Sequence, residues 1–177
     1  MRAEAGLGLV YPARREGPAL RTAGESVGGV AQLGDLELST WFGLLQAHAL
    51  VARRLDAALQ ARHRLSLVEH TVLHRLRAAG GRMRMSDLAG SALLSPSGVS
   101  RLVDRLVVGG LIERSAWRQD GRAIYAVITE AGLRHLEEAG PTYASELRES
   151  FLDLFSEEEV RALGELLGRL LPASLRS

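Results

Sequence analysis

The order of breakers and periodic runs between residues 85 and 129 constrains this chain most. A short helix is predicted over 86–92. Leu94, Ser95 and Pro96 make a tight connection, and a second, amphipathic helix runs from there to about Val108, where Gly109 and Gly110 stop it. Two β-prone runs follow, one opening at Leu111, Ile112 and Glu113 and the other covering 124–128. Between them lies Arg-Gln-Asp-Gly-Arg, in which Asp120-Gly121 is a turn signal. Two helices at a sharp angle, followed by a basic hairpin, spell a winged helix-turn-helix.

The second helix has a readable start and two distinct faces. Ser95 suits the N-cap, and Pro96 fits the first helical position, where the missing N–H costs nothing. Val99, Leu102, Val103 and Leu106 recur at helical spacing and are expected in the core. The opposite face carries Ser97, Gly98, Ser100, Arg101, Asp104 and Arg105. Short side chains near the N-terminus allow close entry into a major groove, and the arginines further along can reach base edges or phosphates. For an isolated helix such a face would as readily be plain solvated surface. The helix before it and the hairpin after it favour DNA reading, with Ser95, Ser97, Gly98, Ser100, Arg101 and Arg105 as candidate contacts.

Arg118 and Arg122 flank the hairpin tip. An arginine there can enter a narrow minor groove, where the negative potential is strongest. Asp120, two residues from Arg122, can orient it through a charge-assisted hydrogen bond. Taken alone, the segment would be an ordinary polar turn.

Charge supports this assignment. The formal net charge is only +1, but it is unevenly spread. Residues 53–122 hold 13 arginines against 6 acidic side chains, whereas residues 123–177 hold 5 against 10. Positive charge therefore sits on the proposed reading module, as in a nucleic-acid binder. There is no cysteine, which excludes structural disulfides and thiol-based oxidation sensing. No run is long or apolar enough to span a membrane, and no signal-peptide core is present at the N-terminus, so a cytoplasmic protein with no membrane partner is expected.

The run LSPSGVSRLVDRLVVGGLIERSAWRQDGRAIYAVITEAG resembles bacterial MarR-type transcriptional regulators. The similarity extends from about Leu36 to Leu171. LELSTWFGLLQAHALVARRLDAAL resembles the first helix of that family, and LSLVEHTVLHRLRAAGGRMRMSDLA the second and third. The resemblance implies that Arg122 is the minor-groove arginine with Asp120 as its partner, and that the 97–105 face reads the major groove. It also implies a dimer whose layer is built from the N- and C-terminal helices. A small amphipathic or anionic aromatic effector is implied where that layer joins the winged module.

The remaining segments are consistent with this organisation. Residues 1–33, rich in Gly, Ala and Arg and broken by Pro12 and Pro18, are expected to be a mostly disordered arm. A domain over 34–177 follows, with the winged helix-turn-helix at about 62–129 and dimerisation helices at about 34–61 and 130–172. The fold class is mainly α with a small β-hairpin wing. Helix one is predicted over 36–61, with Leu38, Trp41, Leu45, His48, Ala52 and Leu55 along one side. Such length exceeds the needs of a small core and points to contact with a second copy. Helix two is predicted over 67–79, with Ser66 and Glu69 as a capping box and Gly80-Gly81 as its end. Thr129 caps a fifth helix that Gly132 and Gly140-Pro141 are expected to interrupt, with a kink near Pro141. Its apolar stripe continues through Tyr143, Leu147, Phe151, Leu154 and Phe155. Ser156 with Glu159 opens a last helix carrying Val160, Leu163, Leu167, Leu170 and Leu171. Two apolar stripes outside the reading module suit burial against a symmetry mate.

His70 and His74 lie one helical turn apart. The 69–74 run is superficially like a zinc-protease helix, but Thr71 stands where the hydrolytic Glu would be needed. With Trp41 and His48, these histidines are candidate effector-binding groups, since such rings stack and a protonated imidazole meets an anion. No catalytic constellation emerges, so an enzyme is not expected, and no cofactor or bound metal is expected either. The reading is a homodimeric regulator, a repressor, of a pseudo-palindromic double-stranded operator. Its rivals are a metal-responsive regulator using His48, His70 and His74, and a helical dimerisation protein that binds no DNA.

Overall fold

The computed structural model describes residues 33–91, 96–116 and 124–171. Among the described residues six helices and three strands follow one another: α1 (Asp35–His63), α2 (Leu67–Ala78), β1 (Arg82–Arg84), α3 (Met85–Ser91), α4 (Pro96–Val108), β2 (Ile112–Ala116), β3 (Ile124–Ile128), α5 (Glu130–Ser150) and α6 (Glu157–Gly168). A 3-10 turn, Leu152–Leu154, separates the last two helices. The chain divides into compact units Met1–Phe42 and Gly43–Ser177, and α1 runs across the boundary.

Local chemistry sets the element ends. The α2 capping box forms as expected: the Ser66 hydroxyl accepts from the Glu69 amide, and the Glu69 carboxylate accepts from the Ser66 amide at 2.9 Å. The Leu67 amide donates to Asp56 Oδ1 of α1 at 2.8 Å, so the start of α2 is also pinned to the helix before it. Gly80 and Gly81 take φ of 78° and 92°, left-handed values that favour glycine, and they turn the chain out of α2. Gly110, at φ 71°, does the same after α4, where the Leu111 amide reaches back to the Leu106 carbonyl. The second capping box also forms, with Ser156 and Glu159 opening α6.

The sheet has one strand more than a hairpin. Its order is β1-β3-β2, antiparallel throughout. Arg84 pairs with Tyr125, and Arg114 with Ala126. Residues 82–84 are too short and too charged to read as a strand; they become one by hydrogen bonding to an existing edge of β3.

The core lies within the second unit. Leu59 of α1, Val72, Leu73 and Leu76 of α2, and Leu88 of α3 meet the apolar face of α4. That face is the expected one: Val99, Leu102, Val103 and Leu106 are all essentially inaccessible. Ile112, Ala126 and Ile128 close it from the sheet, and Leu136 and Ala139 from α5. The burial of such side chains is worth about 1.5–3 kcal/mol each, so α4 is held firmly by this face.

Three expectations about the C-terminal half need correction. Gly132 and Gly140-Pro141 do not interrupt α5, which is one helix from Glu130 to Ser150 with Pro141 inside it. Gly132 serves a different purpose, for a Cβ there would collide with the Leu111 carbonyl oxygen. The helix starts so close to the segment entering β2 that only glycine fits. Nor does the helix carry its stripe through Phe155: Phe151 leaves helical geometry at φ −144° and the 3-10 turn follows. The last helix ends at Gly168, so Leu170 and Leu171 lie just beyond it.

Candidate nucleic-acid interface

Because α4 buries one face completely, its other face is defined by elimination. Ser97, Arg101, Asp104 and Arg105 are exposed, and Gly98 and Ser100 are half-buried beside them. This is the polar set expected from the sequence, brought together on one side of one rigid helix. Ser95 lies outside the described residues, as do Arg118, Asp120 and Arg122 of the wing tip. The two strands that carry the tip, β2 and β3, are in place and paired over their whole length.

Two ion pairs tie this face to its surroundings. Arg105 Nε lies 3.4 Å from Glu69 Oε1, at the start of α2. Burial raises the Glu69 pKa, but the Ser66 amide and hydroxyl and the Arg105 guanidinium outweigh it, so the carboxyl is held below its ordinary range. Glu69 therefore has two tasks, closing the capping box and holding an arginine of the reading helix. The second is not signalled by the sequence, since Arg105 lies thirty-six residues away. The second pair joins Arg114 of β2 to Asp104 at 2.9 Å. The same Arg114 Nη2 donates to the Ser100 hydroxyl and the Ser100 carbonyl, each at 3.3 Å. Arg114 was not among the sequence candidates. Basic residues also line the edge strand: Arg82 and Arg84 are exposed, and Arg84 Nε donates to the Tyr125 hydroxyl at 2.9 Å while its guanidinium stands 5.8 Å from that ring.

The histidines divide into groups. His70 is buried at 5% exposure and stacks on Tyr143 of α5, with ring centroids 4.5 Å apart and planes 14° apart. His74 also stacks on His70, more loosely, with centroids 6.4 Å apart. Burial, reinforced by the nearby charges of His74, Arg77 and His63, pushes the His70 imidazole down to about 4. It is neutral at physiological pH. His63 Nε2 shares a 2.8 Å hydrogen bond with Thr142 Oγ1, and its ring meets His135 edge-on at 6.5 Å. Neither His63 nor His135 nor Tyr143 was a sequence candidate; Tyr143 had been read only as part of an apolar stripe. His48 is exposed on α1, so the structure does not bring it into the His70–Tyr143 stack, and Trp41 is 53% exposed in the first unit. Among the described residues no three His, Asp or Glu side chains gather as metal ligands.

A helix with a buried apolar face and a basic polar face, followed by a two-stranded wing, can lie in a major groove with the wing along the backbone. Comparison with known proteins points the same way. The model of the MarR family matches residues 65–124. The HTH-type transcriptional regulator MhqR of Bacillus subtilis (strain 168) is 32% identical over 109 residues, 62% of this chain and 74% of that protein. Among solved structures, AbsC, a MarR family transcriptional regulator from Streptomyces coelicolor, is 30% identical with a TM-score of 0.73, covering 80% of this chain and 95% of AbsC. Sco3205 from the same organism, a MarR family regulator solved in complex with DNA, is 27% identical with a TM-score of 0.73, covering 81% and 97%.

Proposed function

This chain belongs to the MarR family of DNA-binding transcriptional regulators, and we propose that it acts as a homodimeric repressor of a pseudo-palindromic operator. The α4 face from Ser97 to Arg105 reads base edges in the major groove. Arg118 and Arg122 of the wing approach the minor groove and its phosphates, and Asp120 orients Arg122. The observation that carries this reading is the complete burial of Val99, Leu102, Val103 and Leu106, which leaves the basic polar face outward on a fixed helix. Its test is DNA selected from a random pool by the full chain. Arg101→Ala and Arg105→Ala should each cost about 1–3 kcal/mol if the arginine reads a base, and relax one operator position. Unchanged affinity and preference in the double variant would remove α4 as the reader.

The dimer layer comes from the helices flanking the winged module, at about 34–61 and 130–172. Large apolar side chains stand exposed there in the single chain: Leu36, Trp41, Leu45 and Leu50 on α1, and Leu154, Phe155, Leu166 and Leu170 near the C-terminus. A monomer rarely leaves so much apolar surface in water, and a second copy is the simplest cover. No helix among the described residues is long and apolar enough to cross a membrane, and a DNA-binding regulator works in the cytoplasm.

Release follows binding of a small amphipathic or anionic aromatic effector beside His70 and His74, where α2 and α5 meet. Stacking of His70 on Tyr143 supports an aromatic-accepting environment. The effector favours the state that does not fit DNA, so by linkage operator DNA weakens effector binding by the same factor. His48, exposed on α1, contributes to the same ligand in the dimer.

A further inference from the structure

The outer face of α4 is tied to the wing by a side chain that the helix itself does not supply. We propose that Arg114 is a positioning residue for operator recognition, presenting the Ser100 hydroxyl as a donor to base acceptors and masking Asp104 from the phosphates. The proposal rests on the reading of α4 given above.

The geometry carries it. Arg114 projects from β2, where it is paired with Ala126, and reaches across to α4. Ser100 and Asp104 are one helical turn apart, and a single guanidinium nitrogen spans that turn. It lies 2.9 Å from Asp104 Oδ1 and 3.3 Å from both Ser100 Oγ and the Ser100 carbonyl oxygen. A serine hydroxyl has one proton and two lone pairs. Here one lone pair accepts from Arg114, and the hydroxyl makes no donated hydrogen bond among the described residues. One lone pair remains beside the proton, and the guanidinium that engages the other polarises the O–H, so the proton is what Ser100 most readily offers to DNA. In the major groove it is satisfied by guanine O6 or N7, adenine N7 or thymine O4, and not by the cytosine amino group. Arg114 thus biases the hydroxyl toward donating.

Charge gives the second half of the argument. Asp104 is more than half exposed on the face that must approach phosphates. Unpaired, its carboxylate would repel them. Paired with Arg114, it leaves Arg101, together with Arg105 and its Glu69 partner, as the charged groups of that face. Lysine could neutralise Asp104, but its nitrogen stops one bond short of the place that Arg114 Nη2 holds, on a stem too flexible to fix it against Ser100.

The test uses the full chain, its selected DNA, and the variants Arg114→Met, Arg114→Lys, Asp104→Asn, Ser100→Ala and Arg114→Met/Asp104→Asn. Affinity is measured over a range of salt, together with base preference at each operator position. Arg114→Met should weaken binding by at least about tenfold and erase preference at the position that Ser100→Ala also relaxes. Its salt slope should flatten, because repulsion by the unmasked Asp104 is strongest at low salt, and Asp104→Asn should return the slope to the parent value. Adding Asp104→Asn should restore most of the affinity without restoring the preference. Arg114→Lys should keep affinity and lose preference; this variant retains the charge pair and decides the matter if Arg114→Met does not fold.

Two outcomes would overturn the proposal while leaving α4 as the reader. One is a salt slope reduced by about one unit in Arg114→Met with no recovery from Asp104→Asn, the mark of a direct phosphate contact. The other is an unchanged base preference in Arg114→Met and Arg114→Lys. A parent preference indifferent to Arg101→Ala and Arg105→Ala would instead overturn the reading of α4 and this proposal with it.

Discussion

Replacing His70 by Phe should remove a defined part of the acid sensitivity of this fold. The imidazole is buried against Tyr143, and its pKa falls from 6.5 to about 4. Burial is the largest cause, and the adjacent His74, Arg77 and His63 add to it. The depressed value means that the unfolded chain binds a proton at His70 before the folded chain does. Stability from the neutral ring is therefore complete above pH 6.5. It is lost as pH falls from there toward about 4, and it stops changing below.

The size follows from the same two values. Between pH 7.5 and pH 5, linkage of one such group removes about 2 kcal/mol. Water near the stack screens part of this, so about 1 kcal/mol is the expected loss. Phe keeps a flat ring against Tyr143 but cannot titrate. Urea unfolding of parent and His70→Phe at pH 7.5, 6.5, 5.5 and 5, at one protein concentration because a dimer's stability depends on it, isolates the effect. The difference between the two proteins cancels the carboxylates that titrate in both. Parent stability should fall relative to the variant by about 1 kcal/mol across this range. Parallel curves would refute the reasoning, and a parent that gained stability toward acid would show that the ring is protonated in the folded state.

Other expectations are more direct. Gly132→Ala should destabilise the fold by about 3 kcal/mol, the upper end of overpacking, because its Cβ meets the Leu111 backbone; an unchanged thermal midpoint would contradict that contact. Arg122→Ala should cut operator affinity strongly with little change in thermal stability, and Arg122→Lys should also be impaired for want of a planar fork; binding equal to the parent's at physiological salt would exclude a minor-groove role. Sedimentation equilibrium should give twice the chain mass, and deletion from Ser156 onward should give a monomeric or poorly soluble product; a stable monomeric parent would remove the dimer and the palindromic operator together.

The elements legible in the sequence were those whose ends are set locally. Ser66 with Glu69 and Ser156 with Glu159 announce their helices because a capping box needs only four neighbouring residues, and both form. The core face of α4 was readable for a similar reason: Val99, Leu102, Val103 and Leu106 share a helical period and have one place to go. The missed features depend on distant partners. Arg82–Arg84 is a strand only because β3 offers it an edge. Gly132 looked like a helix breaker, yet its role is set by a carbonyl at Leu111, twenty-one residues earlier in the chain. Pro141 was read by the same local rule, and α5 is assigned as helix on both sides of it.

The candidate site divides along the same line. Its reading face was legible because Ser97, Ser100, Arg101 and Arg105 lie within nine residues of one periodic helix. The groups that hold that face were not. Glu69 is thirty-six residues from Arg105, and Arg114 comes from the wing, reaching α4 only because β2 turns back beside it. Both contacts join the reading helix to a different element: Glu69 to the start of α2, next to His70, and Arg114 to the strand that leads to the wing tip. A change at the His70–Tyr143 stack that moved the start of α2 would reach Arg105 through one carboxylate. A change in the wing would reach Ser100 and Asp104 through one guanidinium. Under the proposed reading, recognition by α4 depends on both neighbours through Glu69 and Arg114, so variants at those two positions should alter recognition even though the α4 face keeps its own sequence.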